Sequence, residues 1–168
     1  SFLKKDPLNG LSTFLGFYVL NVYAMSGDVD GAFNLIENYW GKMLELGATT
    51  IWEEFDPTKE GTEHYAMYGS LYGKSLCHAW GGGPIYLLGR YCLGVYPTSV
   101  GYETYTVEPN RGMYKHIDGK VPLPEGGEVT VKMDSHTCTV TTTRAGGTLL
   151  LRGKAYAIPV GEALTVTY

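Results

Sequence analysis

The chain has 168 residues, 44% hydrophobic and 18% charged, enough apolar material to pack a core in one domain or two small ones, which excludes a disordered chain. Its formal net charge is −4, with Lys and Arg scattered singly and no basic run beyond Lys4 and Lys5, so nucleic acid is not expected as a partner. No run approaches the roughly 18 apolar residues of a membrane span, and "SFLKKDPLNG" lacks the order of a signal peptide, so a soluble chain without a membrane partner is expected.

The first residues run into an apolar helix without an initiating methionine, as expected of a piece of a longer protein. From Ser12 to Met25, "STFLGFYVLNVYAM" is apolar nearly all round, which suits a helix between neighbours, and Ser26 and Gly27 stop it. Asp30 can cap a second helix, in which Phe33, Ile36, Tyr39, Trp40, Met43 and Leu44 recur at helical spacing up to Gly47. The two predict an αα-hairpin. The segment from Phe55 to Gly73 has no periodic pattern and reads as a functional loop. A third helix is predicted to start at Gly83 and Pro84 and to end at Gly94.

Beyond Pro97 the texture changes to short β-branched and aromatic runs, "YETYTVEP", "GEVTVKM", "TCTVTTT", "GTLLLRG" and "ALTVTY". They are punctuated by "NRG", "PEGG", "DSH" and "AGG", which predicts an antiparallel sheet or sandwich. The fold expected is α+β in two parts, residues 1–97 helical and 98–168 stranded. Cys77, Cys92 and Cys138 have neither zinc-site spacing nor the density of a disulfide scaffold and read as small buried hydrophobes. No metal or cofactor is expected.

Two clusters carry chemistry. In "GATTIWEEFDP", Glu53, Glu54 and Asp56 follow a helix end, where acids oppose the helix dipole instead of complementing it. A solvated turn would explain the acids alone. Trp52 and Phe55 flank them with large apolar bodies, a setting that tunes a carboxyl group for acid–base work. In "SLCHAWGGGP", His78 and Trp80 precede three glycines that open a helix, but the lysine and hydroxyl pair of a phosphate-binding loop are absent. Close backbone packing would account for the glycines. Together the clusters offer carboxylates, an imidazole and aromatic faces, the partners that sugar hydroxyls and apolar sugar faces require.

The stretches "YWGKMLELGATTIWEEFDP" and "SLCHAWGGGPIYLLGRYCLGVYP" resemble the late part of the catalytic domain of bacterial α-L-rhamnosidases, glycoside hydrolase family 78. "GYETYTVEPNRGMYKHIDGKVPLPEGGEVTVKM" resembles the β-domain that follows it there. The resemblance implies the last helices of an (α/α)6 barrel, a C-terminal antiparallel β-sandwich and an inverting mechanism on rhamnose-containing oligosaccharides or glycosides. By the same resemblance Glu53 is the general base, with Glu54 one residue away as the alternative, and His78 and Trp80 line the rhamnose subsite, with Trp52 a further candidate. Many relatives carry serine and alanine where this chain has Gly81 and Gly82, a departure expected to loosen that turn. The family's general acid lies in an earlier segment that residues 1–50 do not match, so the chain alone is expected to be inactive and to self-associate through its apolar helices. The alternatives are another helical-barrel glycosidase or lyase, or a non-catalytic carbohydrate-binding or structural module.

Overall fold

The computed structural model describes Leu8 and residues 10–168; Lys4, Lys5 and their neighbours in the N-terminal stretch lie outside the described residues. The chain folds as two compact units that divide between Tyr86 and Leu87. The division falls ahead of the change in sequence texture near residue 98, because Val95 already belongs to a strand and to the core of the second unit.

In the first unit, Ser12 adopts an extended backbone and its hydroxyl accepts the amide of Leu15, capping helix α1 (Thr13–Met25). Gly27, at φ +90°, lets the chain leave the helix where the sequence predicts its end. Asp28, not Asp30, caps α2 (Val29–Ile36), its Oδ1 accepting the Gly31 amide at 2.9 Å. A Cβ on Gly31 would stand 2.5 Å from that carboxylate, so the cap and the glycine go together. Helix α2 continues through a π-helical turn (Glu37–Gly41) into α3 (Lys42–Glu45).

The faces of this helical pair explain its packing. Phe33, Ile36, Tyr39, Trp40 and Met43 are buried, as their spacing predicts, whereas Leu44 faces solvent. Gly16 of α1 admits the Trp40 ring so closely that a Cβ would sit 3.0 Å from it, and the two helices pack as the expected αα-hairpin. Helix α1 buries Thr13, Gly16, Leu20 and Ala24 but leaves Phe14, Leu15, Tyr18, Val22 and Met25 exposed on its other side. The polar loop that follows contains one 3-10 turn, Gly61–Tyr65. The third helix, α4 (Gly83–Leu87), starts at the predicted Gly83 and Pro84.

In the second unit, eight strands form two four-stranded sheets: β1 (Val95–Pro97), β2 (Tyr105–Val107), β3 (Ile117–Pro122), β4 (Glu128–Met133), β5 (Thr137–Thr142), β6 (Gly147–Leu151), β7 (Lys154–Ala157) and β8 (Leu164–Thr167). One sheet runs β3-β4-β5-β8 and is antiparallel throughout. The other runs β1-β2-β6-β7 and departs from the all-antiparallel expectation at one place, where β2 lies parallel to β6 with Tyr105 beside Gly147. Alternate residues of both sheets, among them Val107, Val129, Val131, Val140 and Leu149, bury into one shared apolar cluster, the packing of a β-sandwich.

Two of the three cysteines, Cys92 and Cys138, are buried as expected, and burial pushes both thiols up to about 11. Cys77 is exposed, because it lies on an irregular segment that no strand or helix draws inward. Among the described residues no helix is long and apolar enough to cross a membrane, and no group of three His, Cys, Asp or Glu is placed to hold a metal ion.

Candidate active site

Glu53 is held by its backbone before its side chain does anything. The Thr13 amide and hydroxyl, at the start of α1, both donate to the Glu53 carbonyl at 3.0 and 2.9 Å. On the other side the Glu53 amide donates to the Ser75 carbonyl at 2.9 Å and the His78 amide to the Ile51 carbonyl at 2.8 Å. These bonds bring the two chemistry-bearing stretches of the sequence side by side.

The Glu53 side chain is 6% exposed and its two oxygens have different partners. Oε1 accepts the Tyr68 hydroxyl at 2.5 Å, while Oε2 accepts the Ser75 amide at 3.2 Å and lies 3.8 Å from His78 Nδ1. The Tyr68 hydrogen bond is the main force holding this carboxyl below the ordinary carboxylate value, with help from the Ser75 amide and the charges of His78 and Lys74, and burial opposes them. Glu53 therefore stands ionised at neutral pH. Its charge contributes stability above the unfolded carboxylate value, and that contribution is lost as pH falls through the depressed folded one.

Glu54 is the next residue but serves a different purpose. Its Oε2 lies 3.0 Å from Lys74 Nζ, whose side chain is fully buried, and 4.0 Å from Lys59. Among the described residues the ammonium makes no directional hydrogen bond, so the Lys74 charge is compensated by the carboxylates around it, Glu54 nearest and Glu53 and Asp56 farther off. Asp56 is also occupied, accepting the amide and hydroxyl of Thr58 at 2.9 and 2.6 Å, which closes a turn and keeps its own carboxyl below the ordinary value.

The aromatic groups divide in the same way. The His78 ring lies against Trp80 with centroids 4.1 Å apart and planes tilted by 42°, and Trp80 is 45% exposed with the Phe14 ring 5.5 Å away. Trp52 is buried instead, edge-on to Tyr65, and lines a pocket with Tyr65, Tyr72, Lys74 and Thr50. The structure thus gathers Glu53, His78 and Trp80 around one point. Tyr68, which sequence reasoning missed, joins them through the Glu53 carboxylate, although "MYGS" carries the signal of a tight turn before glycine.

The glycine turn after Trp80 is packed, not loosened. A Cβ at Gly81 would stand 2.2 Å from Ile51 Cγ2, 2.9 Å from Thr13 Oγ1 and 3.2 Å from the Trp52 carbonyl, while one at Gly82 would meet only Ile85 at 3.9 Å. The Gly81 carbonyl also accepts the Trp40 indole N–H at 2.8 Å. Gly81→Ala is expected to cost about 1–3 kcal/mol by overpacking, and Gly82→Ala close to nothing. Thermal melts of the two variants check this; equal melting temperatures would mean that Ile51 can step aside.

No protein-family model and no curated protein matches the sequence. The fold is similar to part of a GH78 family rhamnosidase of Bacillus sp. GL1, with a TM-score of 0.63 and 23% identity over 82% of this chain and 15% of that one. It is similar to part of the α-L-rhamnosidase from Dictyoglumus thermophilum, with a TM-score of 0.60 and 20% identity over the same 82% and 15%. A protein from the human microbiome, provisionally assigned as a kojibiose phosphorylase, gives a TM-score of 0.56 and 12% identity over 95% of this chain and 20% of that one. The resemblance carried by the sequence motifs is met by a likeness of fold, and the chain spans about 15% of the length of either rhamnosidase.

Proposed function

We propose that this chain is the late part of the catalytic domain, with the β-domain that follows, of an inverting α-L-rhamnosidase. In this reading α1 to α4 are the last helices of an (α/α)6 barrel. The exposed apolar side of α1 is where other helices of the barrel pack, and where an isolated chain would meet a second copy. Glu53 is the general base, and His78 and Trp80 line the rhamnose subsite with Trp52 behind them. The general acid comes from a preceding segment, so the chain alone is inert.

The observation that carries the reading is the pairing of an ionised, doubly anchored Glu53 with an imidazole packed against a half-exposed tryptophan. An inverting hydrolase needs this kind of group. Glu53 takes a proton from water as the water oxygen bonds to the anomeric carbon, the glycosidic C–O bond breaks, and the acid on the opposite face protonates the departing oxygen. Trp80 presents a flat apolar face for the sugar, and His78 a hydrogen-bonding edge next to the base.

The test is the stereochemistry of the first product. The complete protein, given an aryl α-L-rhamnoside, is expected to release β-L-rhamnose before mutarotation, followed by NMR. A second reading, a helical-barrel enzyme acting on another sugar, is favoured by the 95% of this chain that the kojibiose phosphorylase likeness covers. Turnover of a glucoside only when inorganic phosphate is present, with no rhamnoside hydrolysis, would decide for it.

A further inference from the structure

Tyr68 stands in an unusual place for its residue type. Met67 and Ser70 exchange both backbone hydrogen bonds, at 3.0 and 2.9 Å, around a two-residue turn in which Tyr68 has φ +53° and Gly69 φ +77°. Turns of this hand favour asparagine or aspartate before glycine, because the left-handed region strains a bulky side chain. The tyrosine does not repay that strain by packing, since it is 77% exposed. Among the described residues its one directed contact is the hydroxyl, 2.5 Å from Glu53 Oε1.

We infer that Tyr68 is a positioning residue, kept in a strained turn so that its hydroxyl fixes the Glu53 carboxylate in one orientation. The inference rests on the reading of Glu53 as general base and adds to it how that base is held. A carboxylate oxygen that already accepts one hydrogen bond keeps a second lone pair for water, so the hydroxyl orients the base without blocking it. Its partner on the other oxygen, the Ser75 amide, belongs to the backbone and cannot be varied through a side chain. The charged and titratable groups that face this pair are His78 and Lys74 on the Glu53 side, with Glu54 acting on Tyr68 from farther off. The hydrogen bond favours the ionised form of Glu53 and raises the Tyr68 phenol above its ordinary value, the two ends of one interaction.

Two variants separate positioning from structure. Tyr68→Phe keeps the ring and the strain but removes the hydroxyl, whereas Tyr68→Asn removes the hydroxyl and suits the turn. In the complete protein both are expected to lower kcat on an aryl α-L-rhamnoside about tenfold, the scale of one charge-assisted hydrogen bond. Tyr68→Phe should leave KM within about twofold, because the ring stays, and should move the acid limb of the pH profile upward. Tyr68→Asn should melt at the same temperature or higher while losing rate, which a purely structural role would not produce.

A readout without turnover is the carbon-13 titration of the Glu53 carboxyl in this chain, assigned by its disappearance in Glu53→Gln. The Glu53 titration should move up toward the ordinary carboxylate value in Tyr68→Phe. An unmoved titration, or an unchanged kcat and pH profile, overturns the inference. If the titration moves but Glu53→Gln retains full turnover, the role of Glu53 as base falls while the control of its charge by Tyr68 stands.

Discussion

Glu53→Gln in the complete protein is expected to lower turnover of an α-L-rhamnoside by about two or more orders of magnitude, the usual contribution of a general base. The substitution is nearly isosteric and leaves the surrounding network satisfiable. The amide oxygen can accept the Ser75 N–H, and the Tyr68 hydroxyl can turn to accept from the new amino group. What is lost is the lone pair that takes the proton from water. Folding is therefore expected to survive, and melting temperature together with kcat distinguishes a chemical loss from a structural one. Glu53 and Glu54 are neighbours in sequence, so the decisive comparison is with Glu54→Gln. A larger fall in kcat for Glu54→Gln at a temperature where both variants are folded would move the base by one position.

The second expected result is that Glu54→Gln lowers stability more than Glu53→Gln does. Its partner Lys74 has a fully buried side chain and, among the described residues, no directional hydrogen bond, so neutralising Glu54 removes the nearest charge from a buried ammonium and leaves it the more distant carboxylates of Glu53 and Asp56. Removing one member of a buried ion pair costs about 3–5 kcal/mol, most of it the penalty of the charge left behind. For a chain of this size that is a fall in melting temperature of roughly 10 °C. Replacing both, as Glu54→Leu with Lys74→Met, should recover most of the loss, because two apolar side chains carry no desolvation cost. A double variant no more stable than Glu54→Gln would mean that the pair is held by more than its charges.

What the sequence made legible follows from how local each signal is. The helix of Phe33, Ile36, Trp40 and Met43 is written in spacing alone, and its stop at Gly47 in a residue that can take φ +88°. The expected cap at Asp30 is two positions late because Asp28 and Asp30 both lie at the helix start, Asp30 already in its first turn, and only the fit of Gly31 against the Asp28 carboxylate distinguishes them. Strands β3 and β7 were not read from "IDGKVP" and "KAYA", which carry a glycine, a proline, lysines and alanines and acquire their strand character from β4 and β6 beside them. In the site, Glu53, His78 and Trp80 could be named from residue type and motif. The partners that set Glu53 apart from Glu54 could not, because Tyr68 and Lys74 reach it across a loop with no periodicity. The burial of Trp52 was equally hidden, since it depends on Tyr65 in that loop.

The parallel pairing of β2 with β6 has a consequence for how the second unit is made. Strands β3, β4 and β5 lie between those partners in the chain and build the other sheet, joined to one another by short turns. On a ribosome, β1 and β2 emerge first as a two-stranded ribbon, which is marginal in water, with Tyr105, Thr106 and Val107 presenting an unpaired edge. At about 5–20 residues per second, that edge waits roughly several seconds for β6 to be synthesised. Such an edge can recruit a strand from another nascent chain. Closing it requires a long-range contact that cannot form until the meander of the opposite sheet has been traversed, so the arrival of β6 beside β2 is the expected slow step of this unit.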